Sequence, residues 1–200
     1  MTEVILASRN AHKLEELRAI LAPLLPEVQL VGDDGPEPVE SGISFAENAL
    51  IKARAAAIRT GKPAIADDSG IAVRVMGGAP GIFSARWGGP ARSDSANVDL
   101  LLWQLKDVPA AHREASFVCA AALVVPDAAG STTEDVVLGE WEGSVLNERR
   151  GENGFGYDPI FQPRGMDVSA AEIDPEKKNL LSHRRRAFEA LIPLLQQRLG

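Results

Sequence analysis

The chain has 200 residues, a formal net charge of −7 and 45% hydrophobic residues. This length allows one sizeable core, so we expect a single domain over residues 1–200 rather than several independent ones. The acidic balance argues against general nucleic-acid binding, which depends on clustered Lys and Arg, but it leaves room for a small anionic ligand held by a few basic groups.

Cysteine usage and apolar runs indicate the compartment. Cys119 is the only cysteine, so no intramolecular disulfide framework is possible, and its apolar neighbours predict a buried strand residue. The first residues lack the basic segment and long apolar stretch of a signal peptide, and no window has the apolar run that a membrane span needs. We therefore expect a soluble, cytoplasmic protein with no membrane partner.

The first part of the chain predicts a strand, a loop and two helices. A strand at 4–7 leads into the polar loop 8–13 and then an amphipathic helix. Its apolar positions are Leu14, Leu17, Leu21, Leu24 and Leu25, and Pro23 and Pro26 end it. Ser44 and Glu47 fit a capping box that opens a second helix, which Gly61 ends.

The rest of the chain alternates between strand and helix patterns. We expect a strand over 64–66 extended through 71–73, a loop over 77–89 and a helix from Ser93 or Asp94 to Leu105. Two strands, over 115–125 and 135–142, should be joined by a hairpin. A glycine-rich loop over 151–157 follows, and then a last helix from Ser182 that Pro193 should kink or shorten. The hairpin favours an α/β fold with a central mixed sheet flanked by helices.

The loop before the first helix is a candidate phosphate site. Free backbone N–H groups and the helix dipole attract anions there, and Lys13 adds a positive charge. The alternative is that Ser8 or Asn10 only caps the helix and that Lys13 is solvated.

Two adjacent carboxylates, Asp67 and Asp68, directly follow an apolar segment. Burying them is costly unless they are paired or bind a metal. If the strand continues, they point to opposite faces, so one can reach a site while the other braces its surroundings. The pair suits Mg²⁺, which takes one or two carboxylates together with phosphate oxygens, although an Asp-containing turn also explains it. Glu40, in a loop, is a further candidate acid.

Residues 177–186 are strongly basic around a predicted helix start. Cations at that end oppose the helix dipole, an arrangement that favours an anion docked between them. His183 can hydrogen-bond a base or a phosphate, and Arg184 can bind two acceptor atoms at once. The alternative is a solvated charged face.

Residues 151–159 combine three glycines with two aromatic residues and an acid. Glycine permits close backbone approach, Phe155 can stack on a purine, and Asp158 can read a base edge. The alternative is a simple turn with Phe155 and Tyr157 packed inward.

Together these motifs resemble the inosine triphosphate pyrophosphatase family, also called the HAM1 or dITP/XTP pyrophosphatase family. They run in order over nearly the whole chain: residues 8–13, 45–49, 66–70, 78–86, 154–159 and 182–184. The resemblance implies a long central mixed sheet, two lobes that are not independent domains with the substrate cleft between them, and a homodimer. It also implies Mg²⁺-dependent hydrolysis of ITP, dITP and XTP to the monophosphate and pyrophosphate.

The resemblance assigns site residues as well. Asp68 is implied as general base and magnesium ligand, and Glu40 as a second metal ligand. The implied substrate-binding residues are Ser8, Arg9, Asn10, Ala11, His12, Lys13, Ser69, Phe155, Gly156, Tyr157, Asp158, Lys178, His183 and Arg184, with the last two near the 6-oxo side of the purine.

Two rival functions remain open from the sequence. One is a pyrophosphatase for other modified nucleotides, such as methylated bases, and the other is a nucleotide-binding regulatory module without turnover. The chain also departs from the pattern of the family at Glu152, Asn153 and Phe83 and in the arginine run beyond Arg184, which bears on loop shape and base selectivity more than on hydrolysis.

Overall fold

The computed structural model describes residues 1–8, 11–127 and 129–199, excluding the side chains at 11, 12, 13 and 16. Its strands are β1 (Thr2–Leu6), β2 (Val28–Gly32), β3 (Ala64–Val73), β4 (Glu114–Pro126), β5 (Thr132–Val145) and β6 (Phe161–Pro163). Its helices are α1 (Ala11–Leu21), α2 (Phe45–Thr60), α3 (Asp94–Leu105), α4 (Pro175–Leu181) and α5 (His183–Leu199). This is the α/β fold that the sequence predicts.

The six strands form one sheet in the order β2-β1-β3-β4-β5-β6. Strand β1 runs parallel to β2 and β3, whereas β5 and β6 are antiparallel. The predicted mixed sheet is therefore confirmed.

The chain forms two compact units. The first comprises Met1–Asp68, Cys119–Gly139 and Arg184–Gly200, and the second comprises Ser69–Val118 and Glu140–His183. Each unit contains its own buried apolar cluster or clusters.

In the first unit, alternate strand residues belong to different apolar clusters. Leu6 and Ile65 pack with α1 and α5, whereas Ile5, Ala64 and Ala66 pack with α2. Because successive side chains of a strand point to opposite faces, a continuous apolar run supplies two cores at once. This explains why these strand segments have no polar alternation.

Helix α2 begins and ends with the expected capping residues. Ser44 Oγ accepts a hydrogen bond from Glu47 N, and Glu47 Oε2 accepts one from Ile43 N, which is the predicted capping box. Gly61 ends the helix in the left-handed conformation, with φ 66°. Alanines at four buried positions of the helix pack against the sheet: Ala49, Ala53, Ala56 and Ala57.

The second unit has an aromatic core. Phe117 and Phe161 lie with ring centroids 4.4 Å apart, and Trp141 lies 5.6 Å from Phe161. Apolar residues of α3 and of β3 belong to the same cluster. Ser93 caps α3 through a bond from Ala96 N, as predicted.

Several elements differ from the sequence-based expectation. The short strands β2 and β6 and the seven-residue helix α4 were not predicted, because few residues give little periodicity. A 3-10 helix over Gly81–Arg86 interrupts the predicted loop 77–89. Leu24 lies beyond the end of α1 and is 41% exposed, and α5 continues past Pro193 to Leu199, so the expected shortening is wrong.

Cys119 is fully buried in a strand, as predicted. Among the helices that the structure describes, none is long and apolar enough to cross a membrane.

The packing of α1 predicts a difference between two of its leucines. Leu17 is fully buried, so Leu17→Ala should lower the free energy of unfolding by about 2–5 kcal/mol. The matched change Leu24→Ala, at an exposed position, should alter it by about 0.5 kcal/mol or less. Urea denaturation of both variants measures the difference, and equal losses would contradict this account of the core.

Candidate active site

The strand β3 continues through both aspartates instead of turning at them. Asp67 therefore shares a face with Ile65, towards α5, and Asp68 shares the opposite face with Ala66, towards α2. The prediction that the two carboxylates point to opposite faces is consistent with their partners, which come from different helices.

Asp68 is bound by two side chains of α2. Asn48 Nδ2 donates to Asp68 Oδ2 at 3.2 Å, and Lys52 Nζ donates to Asp68 Oδ1 at 3.1 Å. The same Lys52 ammonium donates to Glu40 Oε1 at 2.7 Å. One cation thus brings together the two acids, Glu40 and Asp68, that the sequence singles out.

Burial and charge shift the ionisation of this group. Burial would lower the pKa of Lys52, but Asp68, Glu40 and Asp67 more than offset that effect and raise it. The pKa of Asp68 is raised because burial and the Glu40 charge outweigh the contacts with Lys52 and Asn48. A carboxyl group with a raised pKa is a better proton acceptor once it is ionised.

Asp67 forms a buried ion pair with α5. Arg184 Nε lies 3.4 Å from Asp67 Oδ2, and the two side chains are 6% and 1% exposed. Breaking such a pair on one side leaves a charge in a low-dielectric interior. Asp67 therefore holds Arg184 in place, whereas Asp68 is bound by α2.

In the second unit, Asp158 is the centre of a separate polar group. Its Oδ2 accepts hydrogen bonds from Phe155 N, at 2.8 Å, and from Lys178 Nζ. Lys178 Nζ also lies 5.4 Å from the centre of the Phe155 ring. The ring itself is 64% exposed, so it presents a flat apolar surface beside a cation.

Glycine is required where this loop passes Asp158. Gly154 has φ 77°, and a Cβ placed there would lie 2.2 Å from Asp158 Oδ2 and 3.0 Å from Lys178 Nζ. Both the left-handed backbone and the close approach exclude larger residues.

The other aromatic residue of the loop faces inward. Tyr157 is buried, and its hydroxyl donates to Ser84 O at 2.8 Å; burial and the nearby Asp94 raise its pKa. Gly156 N donates to Asp94 Oδ2 at 2.9 Å. The inward packing that the sequence left open thus holds for Tyr157 and not for Phe155.

The remaining predicted residues are placed as follows. Ser8 is half-buried after β1, with its N–H donating to Leu6 O, and Ser69 continues β3. The His183 ring stacks on Phe117, with centroids 5.0 Å apart. Outside the described residues lie Arg9 and Asn10, together with the side chains of Ala11, His12 and Lys13.

The donor set of Glu40 and Asp68 fits a hard divalent cation. Both carboxylates converge on one ammonium group, and oxygen ligands in this number are what Mg²⁺ takes when substrate and water complete its shell. Within residues 1–8, 11–127 and 129–199, no group of three or more His, Cys, Asp or Glu side chains is placed to hold a metal.

Comparison with known proteins decides the family. The sequence profile of the Ham1 family matches residues 4–194. The chain belongs to the Ham1 family. It is 57% identical to the dITP/XTP pyrophosphatase of Leifsonia xyli subsp. xyli over 98% of this chain and 96% of that protein.

Relatives with solved structures share the fold of this Ham1 chain. A HAM1 protein from Coxiella burnetii is 40% identical, with a TM-score of 0.89 over 98% of this chain and all of that one. A nucleoside-triphosphatase / dITP/XTP pyrophosphatase from Mycobacterium abscessus is 48% identical, with a TM-score of 0.78 over 96% of this chain and all of that one. The family resemblance inferred from the motifs is confirmed.

Two residues of the polar group were not proposed as site residues from the sequence, although Asn48 lies within the motif over 45–49. Lys52 and Asn48 looked like ordinary positions of a helix rich in helix-forming residues. Their spacing of four places them on one face of α2, directly over the strand that carries Asp68. The spacing is visible in the sequence, but which face of α2 packs on β3 is decided by tertiary structure.

The buried pair predicts a stability effect in this Ham1 family chain. Arg184→Ala should lower the free energy of unfolding by about 3–5 kcal/mol, because Asp67 loses this partner in the interior. Arg164→Ala removes an exposed pair with Glu142 and should cost about 1 kcal/mol or less. Chemical denaturation compares the two, and a smaller loss for Arg184→Ala would show that the buried pair is not stabilising.

Proposed function

We propose that the chain hydrolyses the non-standard purine nucleoside triphosphates ITP, dITP and XTP to the nucleoside monophosphate and pyrophosphate, and so removes deaminated purines from the nucleotide pool. The observation that carries the proposal is the convergence of Glu40 and Asp68 on Lys52, an acid pair beside a cation at the end of an apolar strand segment. Relatives named dITP/XTP pyrophosphatase that match almost the whole chain support it.

Asp68 is the proposed general base. It orients a water molecule and accepts its proton as the water attacks the α-phosphorus. Its half-buried carboxylate is held on both oxygens, by Asn48 and Lys52, so its direction is fixed before substrate arrives. A base held in this way loses little entropy when the reaction begins.

Glu40 and Asp68 are the proposed Mg²⁺ ligands. The bound ion would supply electrostatic stabilisation of the charge that develops on the phosphate oxygens. Lys52, positioned between the same two acids, adds a fixed positive charge to that environment. The proposed triphosphate-binding segment is residues 8–13, where an anion would meet the N-terminus of α1.

The base is proposed to contact the exposed ring of Phe155. Stacking suits a purine, and Lys178 beside the ring adds attraction for an electron-rich 6-oxo base. Asp158 holds Lys178 and the backbone of the loop in place. We assign Ser69, Gly156 and Tyr157 to the nucleotide as well, with Gly156 and Tyr157 acting through the shape of this loop.

Selectivity is proposed to depend on donors to the 6-oxo group. His183 and Arg184 are assigned there, and Asp67 restricts the orientation of Arg184. Adenine has a 6-amino group, which would leave those donors unpaired, and an unpaired buried donor is costly. Exclusion of guanine requires a further contact or crowding at C2.

Three further expectations stay proposals. Residues 1–200 act as one enzyme domain, the chain assembles as a homodimer, and it works in the cytoplasm where nucleoside triphosphates are made and used.

A substrate panel with product identification tests the function. ITP, dITP and XTP should yield IMP, dIMP and XMP with pyrophosphate in the presence of Mg²⁺, whereas ATP should be a poor substrate. Preference for a methylated nucleotide would favour the modified-base alternative, and ITP binding without pyrophosphate release would favour a regulatory module. Release of orthophosphate and a diphosphate would show that another bond is cut.

The assignment of the acids predicts which carboxylates matter. Asp68→Asn should lower kcat by about 10³-fold, because it removes the base, while the chain still folds since Lys52 keeps Glu40 as a counter-ion. Glu40→Gln should also reduce kcat. The matched control Glu47→Gln should retain turnover, because glutamine also completes a capping box. Wild-type turnover by Asp68→Asn would refute the assignment.

The loop around Asp158 predicts a binding effect. Gly154→Ala forces Asp158 and Lys178 apart, so KM should rise by about tenfold, equivalent to about 1.4 kcal/mol. Gly165→Ala is the control: it has φ 79° but open space around the added Cβ, so it carries the same backbone strain without the displacement. Equal KM values for the two variants would argue against the role of the loop.

A further inference from the structure

Asn48 is a buried amide that contacts one acid of the pair, Asp68, and the backbone of the segment that carries the other, Glu40. The residue is 1% exposed, in the first turns of α2. Its Nδ2 donates to Asp68 Oδ2 at 3.2 Å, and its Oδ1 accepts a hydrogen bond from Gly42 N at 2.9 Å. Gly42 lies two residues after Glu40, so one side chain connects β3 with the segment that carries the second acid.

That segment depends on α2 for its position. Val39 and Ile43 are 83% and 86% exposed, so apolar burial of these side chains does not hold it. Its backbone is bound instead by the first turns of the helix, through Gly42 N to Asn48 and Ile43 N to Glu47. The placement of Glu40 relative to Asp68 therefore follows from the side chains at the start of α2.

The approach of this segment to Asn48 is close. A Cβ added at Gly42 would lie 2.7 Å from Asn48 Oδ1 and 3.0 Å from Asn48 N. Only glycine lets the backbone come this near, so the hydrogen bond and the residue type at position 42 are linked.

We propose that Asn48 is a positioning residue for the reaction, whose single amide sets the separation and orientation of the Glu40 and Asp68 carboxylates. This inference rests on the proposed function of those two acids. Lys52 supplies charge between them but has a flexible stem, whereas the short planar amide has two fixed contacts. Asn48 does not touch substrate and acts through the acids alone.

The chain offers a matched control for Asn48 in Asn97, a buried asparagine with a similar contact but no acid pair assigned beside it. Asn97 is also 1% exposed, is also the fourth residue of a helix capped by serine, and its Oδ1 also accepts from a preceding glycine, Gly88, at 2.6 Å. It belongs to the second unit and has no assigned part in catalysis. Asn97 therefore reports what the loss of such a buried amide does to folding alone.

The first test compares Asn48→Ala with Asn97→Ala. Both should lower Tm by several degrees, about 2–8 °C, because each loses a buried acceptor for a glycine N–H. Only Asn48→Ala should lower kcat for ITP, by about ten- to a hundredfold, the effect of a displacement of the reacting groups. KM should stay within about twofold, since the loss falls on the transition state.

The second test keeps the acceptor for Gly42 N and removes the donor to Asp68. Asn48→Asp retains an oxygen acceptor for Gly42 N but presents an oxygen, not an N–H, to Asp68, so kcat should fall as in the alanine variant. Asn97→Asp, with its acceptor equally retained, should keep wild-type kcat and KM. The comparison of kcat separates a positioning role from a structural one, because only Asn48→Asp removes a donor to Asp68.

A thermal cycle tests the contact without any turnover. Adding Asp68→Asn to Asn48→Asp restores the hydrogen bond with its direction reversed, because the amide at position 68 then donates to the carboxylate at position 48. The double variant should therefore have a higher Tm than Asn48→Asp alone. It should remain inactive because the base is absent. Failure of the double variant to fold, or no gain in Tm, would overturn the proposed contact.

The outcomes distinguish failure of the proposed function from failure of the positioning role of Asn48. If wild-type protein releases no pyrophosphate from ITP, dITP or XTP, the proposed function fails and the thermal cycle still reports the contact. If wild-type protein is active but Asn48→Ala and Asn48→Asp keep its kcat, the positioning role alone is refuted. An equal loss of kcat in Asn97→Asp would refute it as well.

Discussion

The burial of the Lys52 ammonium between two carboxylates is the interaction on which the polar site of the first unit depends. Burial alone disfavours a charged amine, and here the neighbouring acids outweigh that penalty. The same burial raises the pKa of Asp68, so the carboxylate is held in place without being deprived of basicity. A pair of acids without such a cation would repel each other in this environment.

The alternation of β3 explains how one short sequence serves two purposes. Consecutive positions face different helices, so the Asp67 side meets Arg184 from α5 and the Asp68 side meets Asn48 and Lys52 from α2. The two apolar clusters of the first unit fix both helices against the strand. Packing of small and aliphatic residues thereby determines which charges meet.

Much of this arrangement follows from the sequence, but not all of it. The capping box of α2, the mixed sheet and the separate directions of the two aspartates are local consequences of residue type and strand period. The partners Asn48 and Lys52 are not local, because they depend on which face of α2 packs on β3. The pairing of Arg184 with Asp67 spans 117 positions, and no local pattern indicates such a contact.

The same distinction applies to the second unit. Three glycines and two aromatic residues predict a loop, but only tertiary packing decides that Tyr157 turns inward to Ser84 while Phe155 stays exposed. Strands as short as β6 and helices as short as α4 carry too few residues for their periodicity to be detected.

The charge balance of the first unit bears on the proposed metal. The three acids Glu40, Asp67 and Asp68 and the two bases Lys52 and Arg184 carry one net negative charge together when all are ionised. A polyphosphate would be repelled by that surplus, since fields in partly buried sites are weakly screened. One divalent cation reverses the sign to a net positive charge, so the charges of these five side chains fit the proposed binding of an anionic substrate together with a metal.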